Sequence, residues 1–370
     1  MQEMKDSFDI VIGKFVDKGV FFHPDLGIRE CAEGYGIFAK EAIPANTELA
    51  RYPLGMIYDK NKYLEYILKY MDMSDADPHI DDDDDDGTLW SSYMMLIKNN
   101  ITVYVNDIIL SEEDYIRKHY PAISKYVDAE ESCIREYVNN HPEHSYEKVK
   151  RAKCLCATRL WNSGCLLGLD VFNHNMRKGN QIKLNDDHFT LYTKLDINPD
   201  EQVYISYGKY DVVNLCLKYG FVNEDDDNCI SFDVEYHPNS SLDYAIARSY
   251  GDLGYNLELE NNQLCAKNVE VIYNDFASMS AMHTFNLANM QNWDEYHNGA
   301  NIVMIIDCLI NKLNNIFENL YIEDELHKRI PMLYKAYMIK KDIIANNLKC
   351  LRYTKSFIEL YTHSSSLLQK

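Results

Sequence analysis

Two stretches that read as short strands and turns, Gly36–Tyr58 and Leu166–Val222, lie on either side of a long run with helical spacing. That interruption constrains the fold more than any other feature of the chain. In the first stretch, apolar and β-branched residues alternate around Gly34, Gly36, Pro44 and Pro53, the punctuation expected of strands and turns. Phe8–Ile12 reads the same way. Pro44-Ala45-Asn46-Thr47 predicts a tight turn between antiparallel strands, and Pro199-Asp200 predicts another in the second stretch. Neither stretch is long enough to close a hydrophobic core alone. The two are expected to combine into one domain, with the residues between them inserted.

The insertion has its own signature. Tyr63, Tyr66, Ile67 and Tyr70 recur at helical spacing, as do Tyr93, Leu96 and Ile97, and Tyr146–Trp161 reads as helix. Between the first two groups lie the six consecutive aspartates Asp81–Asp86, followed by Gly87. Calcium chemistry of the EF-hand type needs spaced ligands and a distal glutamate, so this run reads as a solvated loop. Beyond the acidic linker Asp225-Asp226-Asp227 the last third reads as largely helical. Ile302, Ile306, Leu309, Leu313, Ile316 and Leu320 step by four and three, the buried stripe of an amphipathic helix. The expected class is α+β. Residues 1–58 and 151–227 form two parts of a β-rich domain, 59–150 a helical insertion with an acidic loop, and 228–370 a mainly helical domain.

Charge narrows the partners. Against 37 Lys and Arg stand 58 Asp and Glu, a formal net charge of −21. Such a field repels phosphate backbones and favours a basic protein over nucleic acid as main partner. Met1–Ile10 carries Glu3, Asp6 and Asp9 and lacks the basic-then-apolar pattern of a signal peptide. The most apolar stretch, Ile302–Ile310, is interrupted by Asp307 and is far shorter than a membrane span, so no membrane partner is expected. The ten cysteines are scattered rather than spaced as a framework. They read as reduced thiols, with a cytoplasmic or nuclear setting expected.

Three segments carry candidate chemistry. Glu33-Gly34-Tyr35-Gly36-Ile37-Phe38-Ala39 offers a backbone that a ligand can approach, but it lacks the third glycine and the helix of a dinucleotide fingerprint. Asp170-Val171-Phe172-Asn173-His174-Asn175 places an Asn-His pair after an apolar strand. Glu201–Gly208 carries Tyr204 and Tyr207 and is followed by Leu217-Lys218-Tyr219-Gly220-Phe221-Val222. Each alone fits a turn or ordinary packing, and 29 tyrosines make such placements easy.

Taken in order, these segments resemble the SET-domain methyltransferases. Within them they are most similar to the group typified by the RuBisCO large-subunit lysine methyltransferase, which also includes the actin histidine methyltransferase. The resemblance implies a SET-type catalytic domain interrupted by a helical insertion, followed by a helical substrate-binding domain. It implies S-adenosylmethionine as cofactor, no metal, and a non-histone protein substrate methylated on lysine. A histidine acceptor, or an inactive SET fold that serves as an interaction protein, remains as the alternative. By resemblance, Glu33, Gly34, Tyr35 and Gly36 line the methionine part of the cofactor, and Arg159 meets its carboxylate. Asn173 and His174 hold the adenine and the methionine amino group, with Asp170 nearby. Phe221 packs against adenine, Tyr219 walls the substrate channel, and Tyr207 is the catalytic tyrosine beside the transferring methyl. Tyr210-Asp211-Val212-Val213-Asn214 departs from the Ser-Asn-x-Glu run usual in that group, and Asn175 stands where many members have serine or threonine. The only cysteine soon after Phe221 is Cys229, so the zinc-bound tail of many histone-directed members is not expected. Cys154-Leu155-Cys156 reads as core.

Overall fold

Strands from both sides of the insertion pair with one another in every sheet of the first unit. The computed structural model describes residues 2–31, 34–71, 89–90, 92–94, 97, 105–159, 164–175, 178–185, 187–208, 210–222, 229–236, 256–260, 263–272 and 294–368. These divide into two units, residues 1–209 with 218–220 and residues 210–217 with 221–370. In the first, β1 (Phe21–Phe22), β4 (Glu48–Pro53), β8 (His188–Tyr192) and β7 (Gln181–Leu184) form a sheet in the order β1-β4-β8-β7. Its central register pairs Tyr52 with Phe189 and Arg51 with Thr190. A second sheet orders β2 (Leu26–Cys31), β3 (Gly34–Ala39) and β9 (Gln202–Val203) as β2-β3-β9, with Cys31 opposite Gly34 and Ile37 opposite Val203. The smallest pairs β5 (Tyr58–Asp59) with β6 (Gly164–Cys165). The two stretches thus share one core, containing Ile37, Leu49, Tyr52, Phe172 and Val203. Both expected turns form, and Asn46 and Asp200 take the left-handed conformation that asparagine and aspartate tolerate best among non-glycine residues.

The insertion is helical where it is described. Helix α2 (Lys60–Tyr70) starts at Asp59, whose carboxylate accepts from the Asn61 backbone N–H at 2.9 Å, an N-cap. Helices α3 (Val105–Ser111), α4 (Glu113–His119), α5 (Pro121–Asn140) and α6 (Tyr146–Ala157) follow, with Pro121 at the first turn of α5 and Ser145 capping α6. Cys154, Leu155 and Cys156 are buried on α6, as core. Glu33, Asp81–Asp86, Leu96, Trp161 and the linker Asp225–Asp227 lie outside the described residues.

One sequence expectation is corrected and two are refined. Phe8–Ile12 belongs to helix α1 (Gln2–Asp17), because Phe8, Val11 and Phe15, spaced by three and four, bury one face together. Phe8 meets Phe22 edge-on at 5.7 Å, and Phe22 meets Phe172 at 6.0 Å. The second stretch is not all strand, since Val212–Tyr219 is helix α7. The Asp211 carboxylate accepts from Val213 N–H at 2.9 Å and starts this helix despite its β-branched residues. The last third is mainly helical in its described residues, as expected, but strands precede the helices. It opens with an antiparallel sheet, ordered β10-β12-β11, of β10 (Cys229–Tyr236), β12 (Gln263–Ile272) and β11 (Asn256–Glu260). The strong stripe of the later helix hid the weaker period-two signal of these strands.

All of that stripe but Leu320 lies on α8 (Asp294–Asn319), where Ile306, Leu309 and Leu313 are buried along the long helix α10 (Pro331–Leu368). The short α9 (Asp324–Arg329) precedes α10. Lys355 pairs with Asp307 at 2.6 Å, and Lys340 with the buried Asp211 at 2.9 Å. Among the described residues no helix is long and apolar enough to cross a membrane.

Candidate active site

Residues from three distant parts of the first unit meet around Asn173. Its side-chain amide donates to the Tyr35 carbonyl at 3.0 Å, 138 positions away, and reaches the Cys31 sulfur at 3.5 Å. The Asn173 carbonyl accepts from Ile205 N–H at 3.0 Å, and the Ile205 carbonyl from Asn175 N–H at 3.1 Å. The Asn-His segment is therefore clamped between β3 and the residues after β9. Gly36 is required by this packing. A Cβ there would lie 2.4 Å from the Gln202 amide nitrogen and 2.9 Å from that of Asn173. The open backbone expected of Gly34-Tyr35-Gly36 is thus partly occupied by two amides of the protein itself.

The neighbouring His174 is buried and turns the other way. Its Nδ1 accepts from the Tyr207 backbone N–H at 3.0 Å, which requires that nitrogen to be unprotonated. The imidazole lies 5.1 Å from the Tyr207 ring, which lies 4.8 Å from the Tyr219 ring. Tyr207 is not on a strand. Its hydroxyl donates to the Phe172 carbonyl at 2.8 Å. Burial pushes this phenol well above its ordinary range, opposed by Arg159 and reinforced by Asp170, so it stays neutral.

Tyr207 and Tyr219 form one side of a cavity, open to solvent, whose other walls include Arg159, Asp170, Ile205 and Ser206. Asn173 and His174 are not among its lining residues but adjoin it through Tyr207. Arg159 and Asp170 form a buried ion pair, with Nη1 to Oδ2 at 2.9 Å and their side chains 9% and 4% exposed. Two charges are kept out of water only if their hydrogen bonds are well satisfied. Asp170 meets that demand by also accepting from Gly168 N–H at 2.9 Å and from the Tyr93 hydroxyl at 2.5 Å.

The profile of the family described as "SET domain" matches residues 34–208. Those residues form a SET domain. The match starts at the strand bearing Gly34 and Gly36 and ends one residue beyond Tyr207, so it takes in Tyr35, Arg159, Asp170, Asn173, His174 and Tyr207, with Cys31 and Tyr219 outside it. A SET domain transfers methyl groups from S-adenosylmethionine, so the chain carries an S-adenosylmethionine-dependent methyltransferase domain with that cofactor. No curated protein matches the chain in sequence. Among solved structures it is similar to the SET domain of LSMT bound to methyllysine and AdoHcy, at 11% identity over 96% of this chain and 93% of that chain, TM-score 0.49. It is also similar to Rubisco LSMT bound to AdoMet, at 10% identity over 96% and 92%, TM-score 0.47. At this level the likeness does not identify shared chemistry.

The residues present fit the cofactor. S-adenosylmethionine has a carboxylate, a sulfonium and an aromatic base. The cavity wall holds a guanidinium suited to a carboxylate fork and two phenol rings whose faces attract a cation. Of the residues singled out in the sequence, the fold gathers Tyr35, Gly36, Arg159, Asp170, Asn173, His174, Tyr207 and Tyr219, with Gly34 on the same strand as Gly36. Phe221 belongs to the second unit, where it is half-buried. Sequence reasoning missed Tyr93, Gln202 and Cys31. Tyr93 did show as part of a helical pattern, but nothing local marks an aspartate 77 positions later as its partner. Among the described residues no group of His, Cys, Asp or Glu could hold a metal ion.

Proposed function

We propose that the chain is a protein-lysine N-methyltransferase acting on a non-histone protein. The observation that carries this reading is the pairing, in one cavity, of a buried Arg159–Asp170 ion pair with the neighbouring, mutually tilted rings of Tyr207 and Tyr219. The bound cofactor supplies an electron-poor methyl on sulfur. In this reading Arg159 receives its carboxylate, while Asn173, His174 and the Gly34–Gly36 backbone set its orientation. Transfer needs the acceptor lone pair in line with the sulfur–methyl bond, which is a matter of positioning. Tyr207 donates its proton to Phe172 and turns its oxygen into an acceptor for weak C–H hydrogen bonds, each worth about 0.5–1 kcal/mol. A lysine amine, ordinarily near pKa 10.4, loses its proton more readily between desolvating rings. Tyr219 supplies one such wall.

The acidic balance of the chain supports a basic target, and residues 228–370, free of the cofactor motifs, are assigned to holding it. The described cysteines are free thiols, compatible with work in the cytosol or nucleus. Incubating a cell lysate with labelled S-adenosylmethionine, with and without the protein, tests the reading. The expected result is a labelled protein whose modified residue is N-methyllysine by mass spectrometry. Methylhistidine would replace the acceptor, and cofactor binding without any labelled protein would replace catalysis by an interaction role.

A further inference from the structure

The Arg159–Asp170 pair does not stand alone. Tyr93, in the helical stretch 92–94 of the insertion, is fully buried and donates its hydroxyl to Asp170 Oδ2. Burial first, then the Asp170 charge, pushes the Tyr93 phenol well above its ordinary range, so it remains a donor. Tyr63 on α2 lies 2.9 Å from Tyr93, oxygen to oxygen, and since the Tyr93 proton is on the carboxylate side, Tyr63 is the donor there. On the other carboxylate oxygen sits Gly168 N–H. Gly168 has φ +88°, and a Cβ there would press on the Phe15 ring at 3.1 Å and the Tyr52 hydroxyl at 3.3 Å, so this donor is fixed by packing. Asp170 is thus gripped from two sides, and Arg159 Nη1 shares Oδ2 with Tyr93.

We propose that Tyr93 is a positioning residue of this methyltransferase, holding the Asp170 carboxylate so that Arg159 presents its guanidinium to the carboxylate end of the cofactor. The inference rests on the assignment of Arg159 given above. It makes the insertion part of the cofactor site rather than a spacer. Hydrogen-bond chains in a low-dielectric interior strengthen one another, so loss of one hydroxyl is felt at the guanidinium.

The test compares two ligands by calorimetry on the full chain. S-adenosylhomocysteine carries the carboxylate, and 5′-methylthioadenosine lacks it. Tyr93→Phe is expected to weaken S-adenosylhomocysteine about 10-fold, near 1.4 kcal/mol, and to leave 5′-methylthioadenosine unchanged. In an Arg159→Lys background the same substitution should add nothing, because its effect passes through Arg159. Equal weakening of both ligands, or of neither, overturns the proposal, as does full additivity with Arg159→Lys. Should Tyr93→Phe fail to fold, Tyr63→Phe replaces it. It removes only the outer hydroxyl and should weaken S-adenosylhomocysteine alone by about 2-fold, and no ligand-selective loss overturns the proposal equally. Failure of wild-type protein to bind S-adenosylhomocysteine would instead bring down the assignment of the cofactor site, and this inference with it.

Discussion

The two units solve different problems with their interiors. The SET-containing unit buries hydrogen-bonded polar groups at its centre: Asp170 between Tyr93, Gly168 and Arg159, and His174 under the Tyr207 backbone. The second unit is held chiefly by aliphatic stripes on α8 and α10, with Leu313, Leu333 and Ile344 fully buried, the Lys355–Asp307 pair nearer solvent, and the buried Asp211 paired with the half-buried Lys340. Apolar contacts are non-directional and tolerate small shifts, whereas hydrogen bonds do not. A region that must hold a guanidinium and a phenol at fixed points needs the second kind of interior. A region that, in the proposed function, offers a surface to a partner can rely on the first.

Alkali should break this contrast most strongly. Burial raises the phenols of Tyr52, Tyr63, Tyr93 and Tyr207 well above their unfolded value near 10 and pushes Tyr58 up to about 12. Their neutral forms are favoured in the fold, so that contribution is complete below pH 10 and is lost as pH rises through the folded values. Each fully buried phenol removes up to about 1.4 kcal/mol of stability per pH unit above 10. Chemical denaturation across pH 9–12 (roughly the window set by these values) should show the SET-containing unit failing early, together with the ultraviolet signature of phenolate. Hydrogen exchange in α8 should change later. Simultaneous loss of both would erase the distinction.

Among single substitutions, Arg159→Leu should cost the first unit most. It leaves Asp170 charged and buried without its counter-ion, a loss of about 3–5 kcal/mol measurable by denaturant titration. A comparable expectation for the second unit is Leu313→Ala, about 2–5 kcal/mol from lost burial and a cavity. Here S-adenosylhomocysteine affinity should stay unchanged while the protein is folded, and a parallel loss of affinity would contradict the division of labour. Tyr207→Phe should act on rate instead of stability. It keeps the ring and removes one polar contact, so methyl transfer should fall roughly 10- to 100-fold, about 1.4–2.8 kcal/mol, with cofactor affinity nearly intact. Full activity with an unchanged product would show that another group serves the transferring methyl. The smallest effect is expected for Asp211→Ala, which removes the start of α7 and the partner of Lys340 for about 0.5–2 kcal/mol of stability.

Much of the site was legible in the chain because its parts are local. Asn173-His174 and the Tyr207-Gly208 ending are contiguous motifs, and their order pointed to the family whose profile spans residues 34–208. Gly36 was legible as a glycine but not for the right reason, since the amides that occupy its missing Cβ come from residues 137 and 166 positions away. Tyr93 and Gln202 could not be singled out, because nothing around them differs from an ordinary packed tyrosine or a strand glutamine. Phe8–Ile12 was misread because five residues are too few to separate a period of two from one of 3.6. The whole segment Phe8–Phe15 was needed.

The sequence by itself determined the interrupted β-rich architecture, the helices of the insertion and the tail, the acidic character, and the order of the chemical motifs. These depend on periodicity and composition, which act over a few residues at a time. Only the tertiary structure decided which charges pair, which amides fill the space beside Gly36, and that the insertion reaches the Arg159–Asp170 pair through Tyr93. The reason is that a buried hydrogen bond is set by the path of the backbone between its partners. For Asn173 and Tyr35 that path is 138 residues long, and no local preference encodes where it ends.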